Sequence, residues 1–252
     1  MREYGERFDY NCLIGHWPFR KIRKRSIEDL RELHKTYQIT GGYVGSMDSI
    51  FYNDPMEGDR ELRKVLDRVP EYQLAQTINP MLPAFLEDLE QGIRQLNTKA
   101  VRIYPAYHGY TLRHPALLSL GRMLADAGLP LLVSCRLEDA RLVYICHTRP
   151  VNVEDIKFLT EEVPRLKVIL LCAYMQELLP MASSICGSRN VLFDTSGLRS
   201  GSFVVEKMTE YFPPDKIVFG SQWPLFCFSS SYLKVSRSTC DATVEENILS
   251  YK

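Results

Sequence analysis

The feature that most constrains this chain is a repeat of pattern rather than of sequence. Short apolar runs alternate, about eight times, with longer segments whose apolar residues recur at helical spacing. The runs cover 8–14, 43–47, 72–78, 100–104, 131–134, 167–172, 190–194 and 216–219. They are continuous rather than alternating, as expected of strands buried on both faces. The helical segments cover 26–38, 59–69, 83–96, 115–127, 153–163, 175–185, 202–212 and 244–250. Such alternation implies right-handed βαβ units and a parallel sheet. A closed (β/α)8 barrel needs about 250 residues, and the chain has 252. Eight units in that length favour the α/β TIM barrel over a doubly wound sheet. No linker or low-complexity stretch divides the sequence, so a single domain over 1–252 is expected.

Local signals agree with this division. Ser26 can cap the first helix, with Asp29 completing a capping box. Ile27, Leu30, Leu33 and Tyr37 form its apolar face, which leaves His34 on the surface, and Gly41-Gly42 ends the segment. Asn152 is placed to cap the helix over 153–163. The run Tyr104-Pro-Ala-Tyr-His-Gly-Tyr110 is the best lid, because Gly109 gives it freedom and its aromatics give it contact area.

Charge and cysteine usage exclude several classes of function. Lys plus Arg and Asp plus Glu both number 31, so the net charge is zero, which argues against a general nucleic-acid binder. The basic cluster over 20–25 reads as a solvated loop entering a helix. No stretch reaches the ~18 apolar residues of a membrane span, and the polar N-terminus carries no apolar signal region. The seven cysteines form no CxxC pair, which predicts reduced thiols and a cytoplasmic protein.

In a barrel of this type the active site lies at the C-terminal ends of the strands. The first strand then offers Asp9, Asn11 and Leu13, with His16 beyond. The fourth offers Arg102, Tyr104 and His108. The fifth offers Ser134, Arg136, Glu138, Asp139 and Arg141. The sixth offers Cys172, the seventh Asp194, Thr195 and Ser196, and the eighth Gln222 and Trp223.

The order of four segments resembles a known family. They are Phe8-Asp-Tyr-Asn-Cys-Leu-Ile-Gly15, Val101-Arg-Ile-Tyr-Pro105, Gly128-Leu-Pro-Leu-Leu-Val133 and Ile217-Val-Phe-Gly-Ser-Gln-Trp-Pro224. Over nearly its whole length the chain resembles the amidohydrolase-related branch of the amidohydrolase superfamily, which includes small metal-dependent decarboxylases and lactonases. The last segment is the most specific, because the family ends its eighth strand with Gly-Ser-Asp-x-Pro. The resemblance implies a divalent metal held by a His-x-His pair on strand one, a His each on strands five and six, and the Asp of strand eight. Those places hold Asn11 and Leu13, Ser134 or Cys135, Cys172 or Ala173, and Gln222. Leucine does not ligate and amides are poor ligands for these metals. The sequence therefore predicts no metal and no other cofactor.

Two functions remain open at this stage. One is a metal-independent hydrolase or lyase acting on a small, carboxylate-bearing substrate. His108, Asp194 and His16 would then be the catalytic groups, with His147 a further proton carrier. Arg102, Tyr104, Arg136, Glu138, Asn11, Gln222 and Trp223 would bind the substrate. The other is a catalytically inactive barrel that binds a small anionic ligand or a partner protein. Neither calls for nucleic acid or membrane, and both allow a homodimer. Blander readings stand beside each residue. Arg136, Glu138, Asp139 and Arg141 also read as a loop salt-bridge cluster, Cys172 as a small core residue rather than a nucleophile, and Asp9 as structural.

Overall fold

A computed structural model describes residues 6–142, 148–199 and 203–252 of the chain. Eight strands run in sequence order round one sheet: β1 (Phe8–Ile14), β2 (Gly41–Ser46), β3 (Tyr72–Thr77), β4 (Ala100–Ile103), β5 (Leu131–Ser134), β6 (Val168–Leu171), β7 (Val191–Asp194) and β8 (Ile217–Val218). Every neighbouring pair is parallel. The circle closes from β8 to β1 through backbone bonds: Tyr10 N–H donates to the Phe219 carbonyl at 2.9 Å, Leu13 N–H to that of Trp223 at 2.8 Å, and Gln222 N–H to that of Asn11 at 2.8 Å. The expected (β/α)8 barrel is the observed fold. Among the described residues no helix is long and apolar enough to cross a membrane.

The barrel interior is filled in layers, as barrels of this size require. Phe8, Tyr10, Tyr43, Ala75, Ala100, Leu132, Ile169, Leu171, Leu192 and Val218 form one buried apolar cluster drawn from all eight strands. Tyr251 stacks on Tyr10 at 6.2 Å and tilts against Phe8 at 4.6 Å, so the C-terminal residues close that end. A second cluster contains Leu13, Trp17, Met47, Ile50, Tyr104, Leu137 and Leu225. Most of these lie at or just past the C-terminal ends of their strands, so this layer covers the opposite mouth. The remaining apolar side chains pack the barrel wall against its helices.

Several local expectations need correcting. Gly41 and Gly42 do not end the first helix; they begin β2. A Cβ at Gly41 would come 2.3 Å from the Glu71 carbonyl oxygen, so only glycine lets the strands approach there. The helix Ile27–Tyr37 ends instead at Gln38, in the left-handed region at φ 58°. Its N-terminus is capped as predicted, with Ser26 and Asp29 bonded reciprocally. His34 is not on the surface. The buried face of this helix is Ile27, Leu30 and His34, and Leu33 and Tyr37 are only half-buried. The His34 Nε2 lies 3.4 Å from Asp9 Oδ2, and its Nδ1 bonds the Tyr72 hydroxyl at 3.1 Å. A polar clamp thus fastens the first helix to β1 and β3.

A helix over Phe228–Ser236 has no counterpart in the sequence reading, because the serines at 229–231 break the apolar rhythm. Its buried residues Phe228, Ser231 and Val235 hold it to the barrel, and Phe228 meets the rings of His34 and Tyr37. The expected lid is a packed turn of helix, Pro105–His108, ended by Gly109 at φ 74°.

Asp59 is the buried carboxyl whose chemistry is easiest to read. It accepts from Ser49 Oγ at 2.8 Å and from Thr77 N–H at 2.8 Å, joining the helix Pro55–Leu66 to β3. Burial pushes its pKa up to about 8, against the pull of those two hydrogen bonds. The native state therefore keeps its proton while the unfolded chain, with an ordinary value of 3.8, loses it. Stability linked to this group is full below pH 4 and falls as pH rises toward 8. The substitution Asp59→Asn should gain on the wild type as pH rises from 5 to 8, measured by urea unfolding at both values. An equal difference at the two pH values would refute this account.

Candidate functional site

The strand ends converge on Asn11. Its side-chain amide sits at a register irregularity of β1, between Asp9 and Cys12, and points to the barrel axis. Its Nδ2 donates to Asp194 Oδ2 at 2.7 Å and to Gln222 Oε1 at 2.6 Å, with Ser196 Oγ at 3.2 Å. Its Oδ1 accepts from Arg102 Nη2 at 2.8 Å. Arg102 also donates through Nε to Ser134 Oγ at 2.8 Å, and its guanidinium lies 5.4 Å from the Tyr104 ring. Gln222 donates to the carbonyls of Arg136 and Leu137 at 3.0 and 3.2 Å. Asp194 is held further by Cys172 N–H at 2.8 Å and by Ser196 Oγ. Asn11, Arg102, Asp194 and Gln222 are all 0 % exposed.

The backbone is shaped to build this centre. Gln222 at the end of β8 and Cys172 at the end of β6 both take the left-handed conformation, each at φ 57°. That geometry is unusual for such residues and clusters at functional sites. A Cβ at Gly220 would lie 2.1 Å from Asp194 Oδ2, so glycine there is the condition for Asp194 to face the axis. Burial raises the pKa of Asp194, while bonds from Cys172, Asn11 and Ser196 pull it back.

These residues do not fit the divalent metal that the resemblance implies. Leu13 belongs to the apolar layer over the mouth and offers no donor atom. The Asn11 and Ser134 oxygens already accept from the Arg102 guanidinium, which brings a positive charge to two of the positions where ligands would be. Only Asp194 supplies a carboxylate, and it faces an amide nitrogen. No step through a metal follows from this arrangement.

The other expected site residues lie elsewhere. His16 is exposed; its backbone N–H donates to Asp48, and it lines a surface cavity beside β1 and β2 with Arg25 and Glu61. His108 is half-buried with Nε2 bonded to the Ile50 carbonyl at 3.0 Å, and burial lowers its pKa. His16, His108 and Asp194 are therefore not brought together. His147 lies outside the described residues. Tyr104 is fully buried in the mouth layer, and Trp223 packs between the barrel and its helices. Arg136 binds Glu177 and the Cys172 carbonyl and stacks 3.6 Å over Tyr174. Glu138 holds Arg20 through two contacts, the shorter 2.8 Å.

Two cavities open at the rim instead. One, of about 510 Å³, lies beside the β7 and β8 ends and is lined by Arg20, Glu138, Asp139, Ser196, Arg199 and Lys234 among others. The second, of about 400 Å³, lies between the loops after β4, β5 and β6, with Tyr107, Arg136, Arg149 and Glu177 in its wall. Lys234 and Arg199 were missed from the sequence. Lys234 stands on the unrecognised helix Phe228–Ser236, and no local motif marks either residue.

If the Asn11 amide holds the centre together, Asn11→Ala leaves Arg102, Asp194 and Gln222 each short of a partner. The expected loss is about 3 kcal/mol, against about 1 kcal/mol for Ser134→Ala, which removes one bond. Urea unfolding of the two variants compares them directly; equal costs would mean the centre is not organised by Asn11.

Solved structures of known proteins share this fold. The 2,6-dihydroxybenzoate decarboxylase from Rhizobium superposes with a TM-score of 0.71 at 14% identity, covering 98% of this chain and 96% of its own. The dihydroxybenzoic acid decarboxylase from Polaromonas sp. JS666, solved with bound manganese and an inhibitor, gives 0.71 at 13% identity over 98% and 95%. A TIM-barrel protein from Bordetella bronchiseptica gives 0.74 at 13% identity over 96% and 95%. At these identities the likeness concerns the fold. No curated protein sequence matches. The amidohydrolase family model, however, matches residues 18–235, and the chain belongs to the amidohydrolase family.

Proposed function

We propose that this member of the amidohydrolase family works without a divalent metal and that its barrel is a binding protein for a small anionic molecule. The carrying observation is the closed polar centre. Asn11, Arg102, Asp194 and Gln222 satisfy one another at 0 % exposure. An apolar layer that includes Leu13, Met47, Tyr104 and Leu137 separates them from the mouth. Reaction at the strand ends requires a substrate atom within hydrogen-bond reach of a base or acid. Asp194 spends its oxygens on protein donors, and His108 and His16 lie apart from it.

The ligand is assigned to the rim, where cavities and charged side chains coincide. Around the cavity beside β7 and β8, three cations (Arg20, Arg199, Lys234) face two carboxylates (Glu138, Asp139), an excess of one positive charge. Arginine forks and ammonium groups suit carboxylate. Arg136 and Glu138 keep a binding role in this reading, since both border rim cavities, and Arg102, Asn11 and Gln222 become the frame beneath them. The hydrolase or lyase reading is less well supported, because none of its three catalytic groups shares a cavity with another.

Metal content decides the first half. Protein purified without chelator, then incubated with manganese or zinc and desalted, should carry far less than one ion per chain by plasma mass spectrometry. A near-stoichiometric ion would overturn the proposal. For the second half, succinate should raise the melting temperature in a concentration-dependent way, as any ligand of the native state must. Turnover that disappears in Asp194→Asn while the fold survives would restore the enzyme reading.

A further inference from the structure

The cavity beside β7 and β8 contains a lysine with an unusual setting. Lys234 projects from the helix Phe228–Ser236, and its Nζ donates to the Thr195 carbonyl at 2.8 Å. Among the described residues no carboxylate lies within ion-pair distance of it, although Glu138 and Asp139 line the same cavity. Both of those acids are committed elsewhere. Glu138 is held by Arg20 at 2.8 Å, and Asp139 by Arg141 at 2.9 Å and Arg199 at 2.8 Å. Lys234 is half-buried and lines a space of about 510 Å³.

We infer that this cavity takes a small carbonyl-bearing anion, an aldehyde or keto acid, which Lys234 captures as an imine. The assignment rests on the binding reading above and names the chemical class of its ligand. The lysine nitrogen adds to the carbonyl carbon, the oxygen leaves as water, and a C=N bond replaces C=O. No oxidant or cofactor enters the balance. The Arg199 guanidinium, stacked 3.4 Å over the Phe226 ring, forms part of the wall that the anionic end meets.

An imine needs the free amine, and the surroundings supply it. Burial pulls the Lys234 ammonium down to about 8, with Asp194 and Cys172 opposing and Arg199 assisting. Arg20 on the loop after β1 and the paired acids Glu138 and Asp139 complete the charged groups round the cavity. Lys234 therefore holds more uncharged amine near neutral pH than an ordinary lysine does.

The probe is glyoxylate, the smallest anionic aldehyde, with cyanoborohydride to fix the imine as a stable secondary amine. Peptide mapping by mass spectrometry should find Lys234 modified at least tenfold faster than the other lysines. The preference should weaken with propionaldehyde, which is uncharged. The rate at Lys234 should rise through pH 8, while ordinary lysines follow their value of 10.5. Lys234→Arg should remove the adduct and leave the melting temperature of the free protein nearly unchanged. Even modification across the exposed lysines, or an unmodified Lys234, would overturn the inference; the wild-type map alone decides this if the variant folds poorly. Neither result bears on metal content, so failure here is distinguishable from failure of the metal-free reading.

Discussion

The interaction on which this structure depends is the placement of one amide between a buried guanidinium and a buried carboxylate. Removing Arg102 and Asp194 from water costs several kcal/mol for each ion unless other groups replace the lost solvation. Asn11 supplies that replacement in both directions. Its oxygen accepts from Arg102 and its nitrogen donates to Asp194 and Gln222. A histidine in the same place offers one ring nitrogen as acceptor and one as donor, with less freedom to serve three neighbours. The amide thus joins β1, β4, β7 and β8 through side chains.

That junction explains why the residues at the strand ends form a set. With a guanidinium supplying the positive charge, each neighbouring position carries a neutral or accepting group. Ser134 accepts from Arg102 Nε, and Gln222 accepts from Asn11 while donating to two backbone carbonyls. Leu13 is free to join the apolar layer above. A histidine here would bring an additional proton site into a closed network. The polar centre is then best understood as an interior layer of the barrel, equivalent in role to the apolar layer at the other end.

The fold was legible in the sequence because parallel strands buried on both faces are short and apolar, and glycines and prolines punctuate them. Boundaries were less legible where tertiary contacts override local preference. Gly41-Gly42 looks like a helix stop but serves a close strand approach, and the serines at 229–231 hide a helix held by tertiary contacts, among them Phe228 against Phe219, His34 and Tyr37 and Ser231 Oγ to the Ser221 carbonyl. The residues at the strand ends were legible one by one. Their mutual bonding was not, because Asn11 meets Asp194 and Gln222 across 183 and 211 positions of chain. His34 shows the same limit: its helical position suggested solvent, while its partners Asp9 and Tyr72 belong to two strands.

The centre and the rim cavity are separate in access but share one strand end. Asp194 faces the axis, the Thr195 carbonyl receives Lys234, and Ser196 bonds Asp194 while lining the cavity. Three consecutive residues thus carry the frame, the anchor of the amine and the cavity wall. Loops on a rigid barrel can change their ligand without disturbing the core beneath them. Here the rigidity of β7 is supplied by the buried network, since Asp194 is tied to β1 by Asn11 and to the end of β6 by the Cys172 amide. The side chains at the axis thus fix the geometry of a cavity wall about one strand end away from them.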